Sequence, residues 1–505
     1  MKPRGISLLS SPKLTWIIIG FGILIRLIQY LYNRSLWADE AVLALNIVNR
    51  SYLELFQPLD YDQAAPIGFL LVEKLAVQLL GNNEYALRLL PLLSGIISLW
   101  LFYELAKQCI PKTAIPIALA LFASLHYLVY YAAEVKQYST DVAIALLSCL
   151  VAMHLGNPKL SRSQTLTFSL VGAVAIWFSH PAIFVLAGVG ITSVLIGIVS
   201  KQQLKITNIL LICTTWLLSF TVFYFGFLKK VDNNEDLLQS WANGFPSSLF
   251  DIIWLLDAFG KFFYKPLGFT ALMDGIAIFA FLLGCISCFY RRKETLAILL
   301  SPLIATFVAA YLQKYPFRSR LVLFLTPFVI LLIAEGVDYL RRKNRYKFTV
   351  IAGNVILILL LAPPLVSASN LLVNPYLREE IKPVISYVKT HQRPGDIIYI
   401  FQRGKYQFEY YAKRYGYQPG DYIIGVEDLD KYDGKNVSQA EWNRYKSDLD
   451  KLRENQRVWL IFSHAHLSQE NAMINTYLDR IGKRIDTFQT TGAFVYLYNL
   501  TNKNQ

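Results

Sequence analysis

Residues 14–33, LTWIIIGFGILIRLIQYLYN, are followed three residues on by Leu36-Trp37-Ala38-Asp39-Glu40. An α-helix of that length rises about 30 Å, the thickness of a bilayer's hydrocarbon core. Arg26 is the single charge inside it. The stretch has the basic start of a signal peptide in Lys2, Arg4 and Lys13. Its length, Arg26 and the lack of a small-residue cleavage site before Asn33 read instead as a retained first span. Two adjacent carboxylates therefore stand where a membrane span ends.

The same reading extends along the chain. Of 505 residues, 54% are hydrophobic and only 17% charged, against about 25% charged in soluble domains. Apolar runs near spanning length recur as far as Ser367. They predict eleven spans: 14–33, 86–106, 113–131, 138–155, 164–180, 181–200, 207–228, 267–290, 295–313, 321–340 and 348–367. The fold class is a polytopic α-helical membrane protein. The net charge of +14 lies largely in short loops, as an orientation signal does, and does not point to nucleic acid. Lys2, Arg4, Lys13, Lys107, Lys112, Lys159, Arg162, Lys201, Lys205, Arg291-Arg292-Lys293, Arg341-Arg342-Lys343, Arg345 and Lys347 share one side, which is then cytoplasmic. The N-terminus is cytoplasmic on this reading, in the plasma (inner) membrane. Segments 34–85, 229–266, 314–320 and everything after the last span are extracytoplasmic. Five cysteines lie in or beside apolar runs and form no disulfide framework; Cys285 and Cys288 read as packing residues.

Segment 34–85 holds two helical stretches, Ala41–Phe56 and Ile67–Leu80, too short to span and suited to the membrane surface. Segment 229–266 interleaves Trp241, Trp254 and several Phe with Lys229, Lys230, Lys261 and Lys265, a headgroup-region composition. From about Asn374 the composition turns polar. Asp396–Phe401, Tyr422–Val426, Arg457–Ser463 and Thr491–Leu500 read as strands, with helices over Tyr376–His391 and Ala440–Glu454. The division is a transmembrane domain, 1–373, and a small extracytoplasmic α/β domain, 374–505.

The candidate chemistry collects on one side. Asp39 and Glu40 read either as capping residues of the Ala41 helix or as catalytic carboxylates. Gln63, in Asp60-Tyr61-Asp62-Gln63-Ala64-Ala65-Pro66, belongs to a turn or to a polar substrate floor, with Pro66 opening the second helix. Arg88 snorkels at the end of span two or meets a substrate. Glu134, Lys136, Tyr138 and Asp141 crowd the turn between spans three and four. Spacings of four and three put Glu134, Tyr138 and Asp141 on one helix face, and ionisable groups at membrane depth are functional candidates. His180 ends span five. Lys314, Arg318 and Arg320 form a basic cluster against the positive-inside trend, and a phosphate held by guanidinium groups gives it a cause.

Trp37-Ala38-Asp39-Glu40-Ala41, Gln63-Ala64-Ala65-Pro66, Glu84-Tyr85-Ala86-Leu87-Arg88-Leu89, Tyr131 through Tyr138 with Glu134-Val135-Lys136, His180 and Arg318/Arg320 occur in that order over residues 14–340. Together they resemble the membrane-embedded C-type glycosyltransferases of the family 39 kind, the superfamily of protein O-mannosyltransferases and the aminoarabinose transferase. The resemblance implies a polyprenyl-phosphate sugar donor, transfer to a hydroxyl of a lipid, polysaccharide or protein acceptor at the outer membrane face, and Asp39 as base. Glu40 and Glu134 would support it. Gln63, Arg88, Lys136, Tyr138, Asp141, His180, Arg318 and Arg320 would bind substrate. Lys136 stands where relatives often carry Arg. Some members use a divalent metal ion, and Asp39, Glu40 and Glu134 offer suitable oxygen ligands.

Two readings compete. A secondary transporter or lipid flippase calls for repeated halves with charges at the midplane; no internal repeat is seen, though Arg26 and Asp274 are charges within spans. A non-catalytic scaffold with a partner-binding outer domain calls for a dispensable Asp39.

Overall fold

Apolar runs of spanning length bury their backbone polar groups by forming helices, and they do so here. The computed structural model describes residues 11–155, 160–201, 203–229, 241–342, 347–427, 437–464 and 469–501. Lys2, Arg4, Lys159, Lys230, Lys343 and Arg345, and the side chain of Lys205, lie outside the described residues. Among those described, eight helices are long and apolar enough to cross a membrane: Pro12–Leu31, Glu84–Cys109, Tyr138–Leu155, Ala182–Val199, Ile206–Phe227, Leu272–Tyr311, Ser319–Arg342 and Lys347–Asn370. Ile115–Ser124 and His126–Ala133, bent by 60°, add a ninth if taken as one span. Leu272–Tyr311 has 40 residues, twice what one crossing needs, and its backbone leaves the helical region at Arg292. It occupies the two expected spans 267–290 and 295–313. Arg162–Phe178, with 17 residues, stands where 164–180 was expected. The chain is a polytopic helical membrane protein.

The charge inside the first span has a structural task. At Leu125 the chain turns extended (φ −61°, ψ 129°), so the carbonyls of Phe122 and Ala123 lose their helical partners. Arg26, 1% exposed, donates to both, at 3.4 and 3.3 Å, and to the carbonyls of Leu128 (3.4 Å) and Gly22 (2.9 Å). A broken helix persists in an apolar medium only where such groups find partners. Asp274 is not at midspan. It lies in the first turn of Leu272–Tyr311 and accepts from the Gly275 N–H at 2.7 Å.

Side-chain contacts sort the loops into two ends. At one end Arg291 and Arg342 both reach Glu335 at 3.3 Å, Thr113 donates to Asp338, and Arg292 donates to the Gln108 carbonyl. At the other, Lys136 bonds Gln63, Lys265 lies over the Tyr127 ring, Arg320 lies over Tyr138 and Trp241, and Phe317 N–H meets the Gly244 carbonyl.

The chain divides into two compact units: Met1–Tyr32 with Ser51–Pro375, and Asn33–Arg50 with Tyr376–Gln505. The helix that carries Asp39 and Glu40, Ala38–Asn49, therefore groups with the C-terminal part of the chain. That unit holds a five-stranded sheet built from β1 (Ile397–Ile400), β2 (Ile423–Ile424), β3 (Val458–Ser463), β4 (Lys483–Thr490) and β5 (Ala493–Asn499), in the order β2-β1-β3-β5-β4. β1 pairs parallel with β2 and β3, whereas β5 runs antiparallel to β3 and β4. β3 is buried along its whole length. Val458, Leu460 and Phe462 form a core with Tyr399, Leu449, Leu478 and Tyr498. Four strands match the sequence reading. β4 does not appear in it, because Lys483, Arg484 and Asp486 hide its alternation; charge is usual on an edge strand.

Candidate functional site

In the second unit the acidic helix starts at Ala38, and Trp37, extended at φ −82° and ψ 172°, is its N-cap residue. Asp39 and Glu40 are the second and third residues of the helix, so neither is the cap that an N-cap reading of Asp39 supposes. Their settings differ. Glu40 is 0% exposed, accepts from the Trp37 N–H at 3.3 Å and lies 3.8 Å from the Arg34 guanidinium. Asp39 is half-buried. Of the doublet, Glu40 is fully buried beside Arg34 and Asp39 is partly exposed.

The approach to the helix is held by a segment 340 positions later in the chain. Arg378 lies 3.3 Å from the centre of the Trp37 ring. Glu379 accepts from the Ala38 N–H at 3.0 Å. Glu380 accepts from the Ser35 N–H and hydroxyl at 3.1 and 3.0 Å. Helix Lys405–Ala412 packs against the acidic helix. From it Gln407 donates to the Leu36 carbonyl (3.3 Å) and to Glu379 (2.8 Å), and the Tyr411 hydroxyl accepts from the Leu36 N–H (2.9 Å). The segment is seated from its far side by the turn between β4 and β5. Glu380 N–H donates to Thr491 O, and a Cβ on Gly492 (φ +70°) would meet the Arg378 carbonyl at 2.2 Å. Only glycine fits there. Burial pushes the Glu379 carboxyl up, but the hydrogen bond and charge of His464, with the Ala38 N–H and Arg378, hold it below the ordinary glutamate value. Sequence reasoning missed Arg378, Glu379, Gln407, Tyr411 and His464. Leu377-Arg378-Glu379-Glu380 ahead of an amphipathic helix looks like any solvated first turn.

In the first unit, Lys136 and Gln63 meet directly, Nζ donating to Oε1 at 2.7 Å, and Gln137 reaches the Ala64 carbonyl at 3.4 Å. The turn carrying Lys136 sits close against helix Glu84–Cys109. A Cβ on Gly95 would meet Ala132 at 2.6 Å and the Ser139 hydroxyl at 3.1 Å. Glu134 is fully buried, as are Arg88 and Asp141 to within a few per cent. Helix Tyr138–Leu155 begins at Tyr138, and Glu134 precedes it in extended backbone (φ −130°, ψ 139°). The helical-face argument therefore holds for Tyr138 with Asp141 and fails for Glu134, because no helix runs through 134–137. Tyr138 packs edge-on against Tyr131 at 4.9 Å and lies 5.7 Å from Arg320. His180 and Gln63 line one small cavity with Phe223 and Phe227. Arg318 lines a larger one, about 910 Å³, with Lys261, Lys265, Trp254 and Phe262. Pro66 is the N-cap residue of Ile67–Leu80, one place ahead of the first position that its ring was expected to fill.

No family model matches the sequence, and no curated protein matches it. Solved structures do. ArnT from Cupriavidus metallidurans bound to undecaprenyl phosphate superposes with a TM-score of 0.53 at 12% identity, over 95% of this chain and 98% of that one. The archaeal oligosaccharyltransferase AglB from Archaeoglobus fulgidus, in complex with an inhibitory peptide and a dolichol-phosphate, gives 0.51 at 11% identity, over 95% and 74%. The oligosaccharyltransferase of the same organism in complex with Zn and sulfate gives 0.50 at 12% identity, over 96% and 73%. The chain has the C-type glycosyltransferase fold.

Among the described residues no three His, Cys, Asp or Glu side chains form a group that fits a metal ion. Glu40, one of the three carboxylates considered for the role, is already committed to Arg34 and the Trp37 N–H.

Proposed function

We propose that this chain is an inverting glycosyltransferase that moves a sugar from a polyprenyl-phosphate donor to an acceptor hydroxyl at the extracytoplasmic membrane face, with Asp39 as base. The observation that carries the reading is the C-type fold over nearly the whole chain, with a partly exposed carboxylate at Asp39 next to a fully buried one at Glu40. Asp39 takes the proton of the acceptor hydroxyl as its oxygen attacks the anomeric carbon. The bond from that carbon to the phosphate oxygen breaks on the opposite side, and its electron pair leaves with the lipid phosphate. A glycosidase needs a second carboxyl to protonate a poor alcohol leaving group. A phosphate leaves as a stable anion, so a single base suffices. Arg318, Arg320 and Lys136 supply the positive charge that such a leaving group requires, and the cavity that Arg318 and Lys265 line has the aromatic walls of a lipid-phosphate pocket, with Lys261 there paired to Asp257. Gln63 orients Lys136 through its 2.7 Å hydrogen bond. Arg88, Tyr138, Asp141 and His180 contribute to substrate binding. The acceptor is a lipid, a polysaccharide or a protein.

The test is transfer from a radiolabelled polyprenyl-phosphate sugar in membranes carrying the wild type or Asp39→Asn. The variant is expected to fold normally and to lose transfer by a factor of about 10³ or more, the scale of removing a general base and its charge. Transfer at the wild-type rate would sink the assignment.

A further inference from the structure

The C-terminal unit does more than accompany the membrane helices. Glu379, buried at 1% exposure, is fixed at both oxygens. Oε1 is bonded by His464 Nδ1 at 2.8 Å, and Oε2 by Gln407 Nε2 at 2.8 Å. Oε2 also takes the N–H of Ala38, the first residue of the helix in which Asp39 is second. That N–H is one of the four a helix leaves without an internal partner, and a carboxylate there also meets the positive end of the helix dipole. His464 is held for this contact at some cost. It directly follows the central strand β3 and adopts a left-handed conformation, φ +55°, which costs a non-glycine residue energy that its surroundings must offset. Its ring stacks on Trp37 at 6.4 Å and 29°, the same ring that meets the Arg378 guanidinium.

We propose that Glu379 is a positioning residue for Asp39. Anchored by His464 and Gln407, it fixes the first turn of the acidic helix and so sets where the base carboxylate points. The inference rests on the reading of Asp39 as base. It gives the C-terminal domain a defined task in the transfer reaction, since the domain supplies both the carboxylate and its anchors.

The experiment uses the full chain in detergent and combines backbone amide exchange with transfer kinetics. Glu379→Ala is expected to speed exchange in a peptide covering 33–41 by about tenfold, the factor that one lost hydrogen bond implies. It is also expected to lower kcat by about ten- to a hundredfold, the cost of a misplaced catalytic group, with the donor KM within about twofold. Glu379→Gln keeps an oxygen for the Ala38 N–H and is expected to restore slow exchange and most of kcat. Asp396→Asn is the control. It breaks the contacts of Asp396 with Arg457 and Trp459 at the opposite end of β1 and β3, and is expected to weaken the same domain while leaving kcat per folded molecule unchanged. Should Glu379→Ala fail to fold, His464→Ala removes one anchor and is expected to act in the same direction. Unchanged exchange over 33–41 in both variants, or an equal fall in kcat in Asp396→Asn, overturns the proposal. If the wild type transfers no sugar, the reading of Asp39 falls while the exchange result still decides whether Glu379 fixes the helix.

Discussion

Glu73 offers a sharp test of the first unit. Its helix, Ile67–Leu80, seats Gly68 against the Phe178 ring and packs along helix Glu84–Cys109. The Glu73 side chain is 0% exposed, and neither carboxylate oxygen has a hydrogen-bond partner among the described residues. Burial therefore pushes the carboxyl well above its ordinary value of 4.5, and the folded protein keeps it protonated while the unfolded chain releases the proton. The sign follows from linkage. Above pH 4.5 the folded state binds the extra proton, so stability falls as pH rises, by about 1.4 kcal/mol per pH unit until the folded carboxyl ionises. Glu73→Gln keeps the shape and does not titrate, and any fixed packing penalty of the amide is the same at every pH. Unfolding of purified protein followed by intrinsic tryptophan fluorescence at pH 4.5, 5 and 6 is expected to show wild-type stability falling relative to the variant as pH rises. Parallel pH profiles for the two proteins would refute the reasoning and place an ion-pair partner on Glu73.

Two further outcomes follow from particular contacts. Arg26→Leu leaves the Phe122 and Ala123 carbonyls without a donor at the break in the third span. At about 1–3 kcal/mol for each orphaned group, a loss of about 2 kcal/mol or more is expected, read as a lower melting temperature in detergent. Asp396 behaves in the opposite sense to Glu73. Burial raises its carboxyl, but Arg457, the Arg393 N–H and Trp459 hold it below the ordinary aspartate value. A depressed carboxyl stabilises above its unfolded-state value, and that stability is lost as pH falls through the folded-state value. Circular dichroism of the sheet below pH 4 is expected to show a smaller acid loss in Asp396→Asn than in the wild type.

Much of the architecture was legible because membrane helices obey a length rule that survives any detail of packing. Residues 12–31 and 347–370 announce themselves by apolarity alone. The break at Leu125 was not legible. Leu119 to Tyr131 is mostly apolar, and the side chain that satisfies the carbonyls freed at the bend, Arg26, lies almost a hundred residues earlier. β4 escaped because an edge strand can carry charge on one face and still pair. At the candidate site, residue type pointed to Asp39 and Glu40 together. Burial then separated them, through Arg34 and a helix start one turn earlier than periodicity alone implied. Glu134 shows the converse error: a spacing of four means a shared face only where a helix exists, and the helix begins at Tyr138.

The partners of the acidic helix explain why its role could not be read locally. Ser35, Leu36, Trp37 and Ala38 are held by Glu380, Tyr411, Arg378 and Glu379, all more than 340 positions away. A chain ending at Pro375 would keep every apolar helix described here and lose each of those contacts. The order of the first turn around Asp39 thus depends on the β4–β5 hairpin, whose Gly492 turn seats Arg378. Hydropathy, which is local, finds the spans. It has no means of finding a carboxylate whose geometry is set by a sheet built from the other end of the chain.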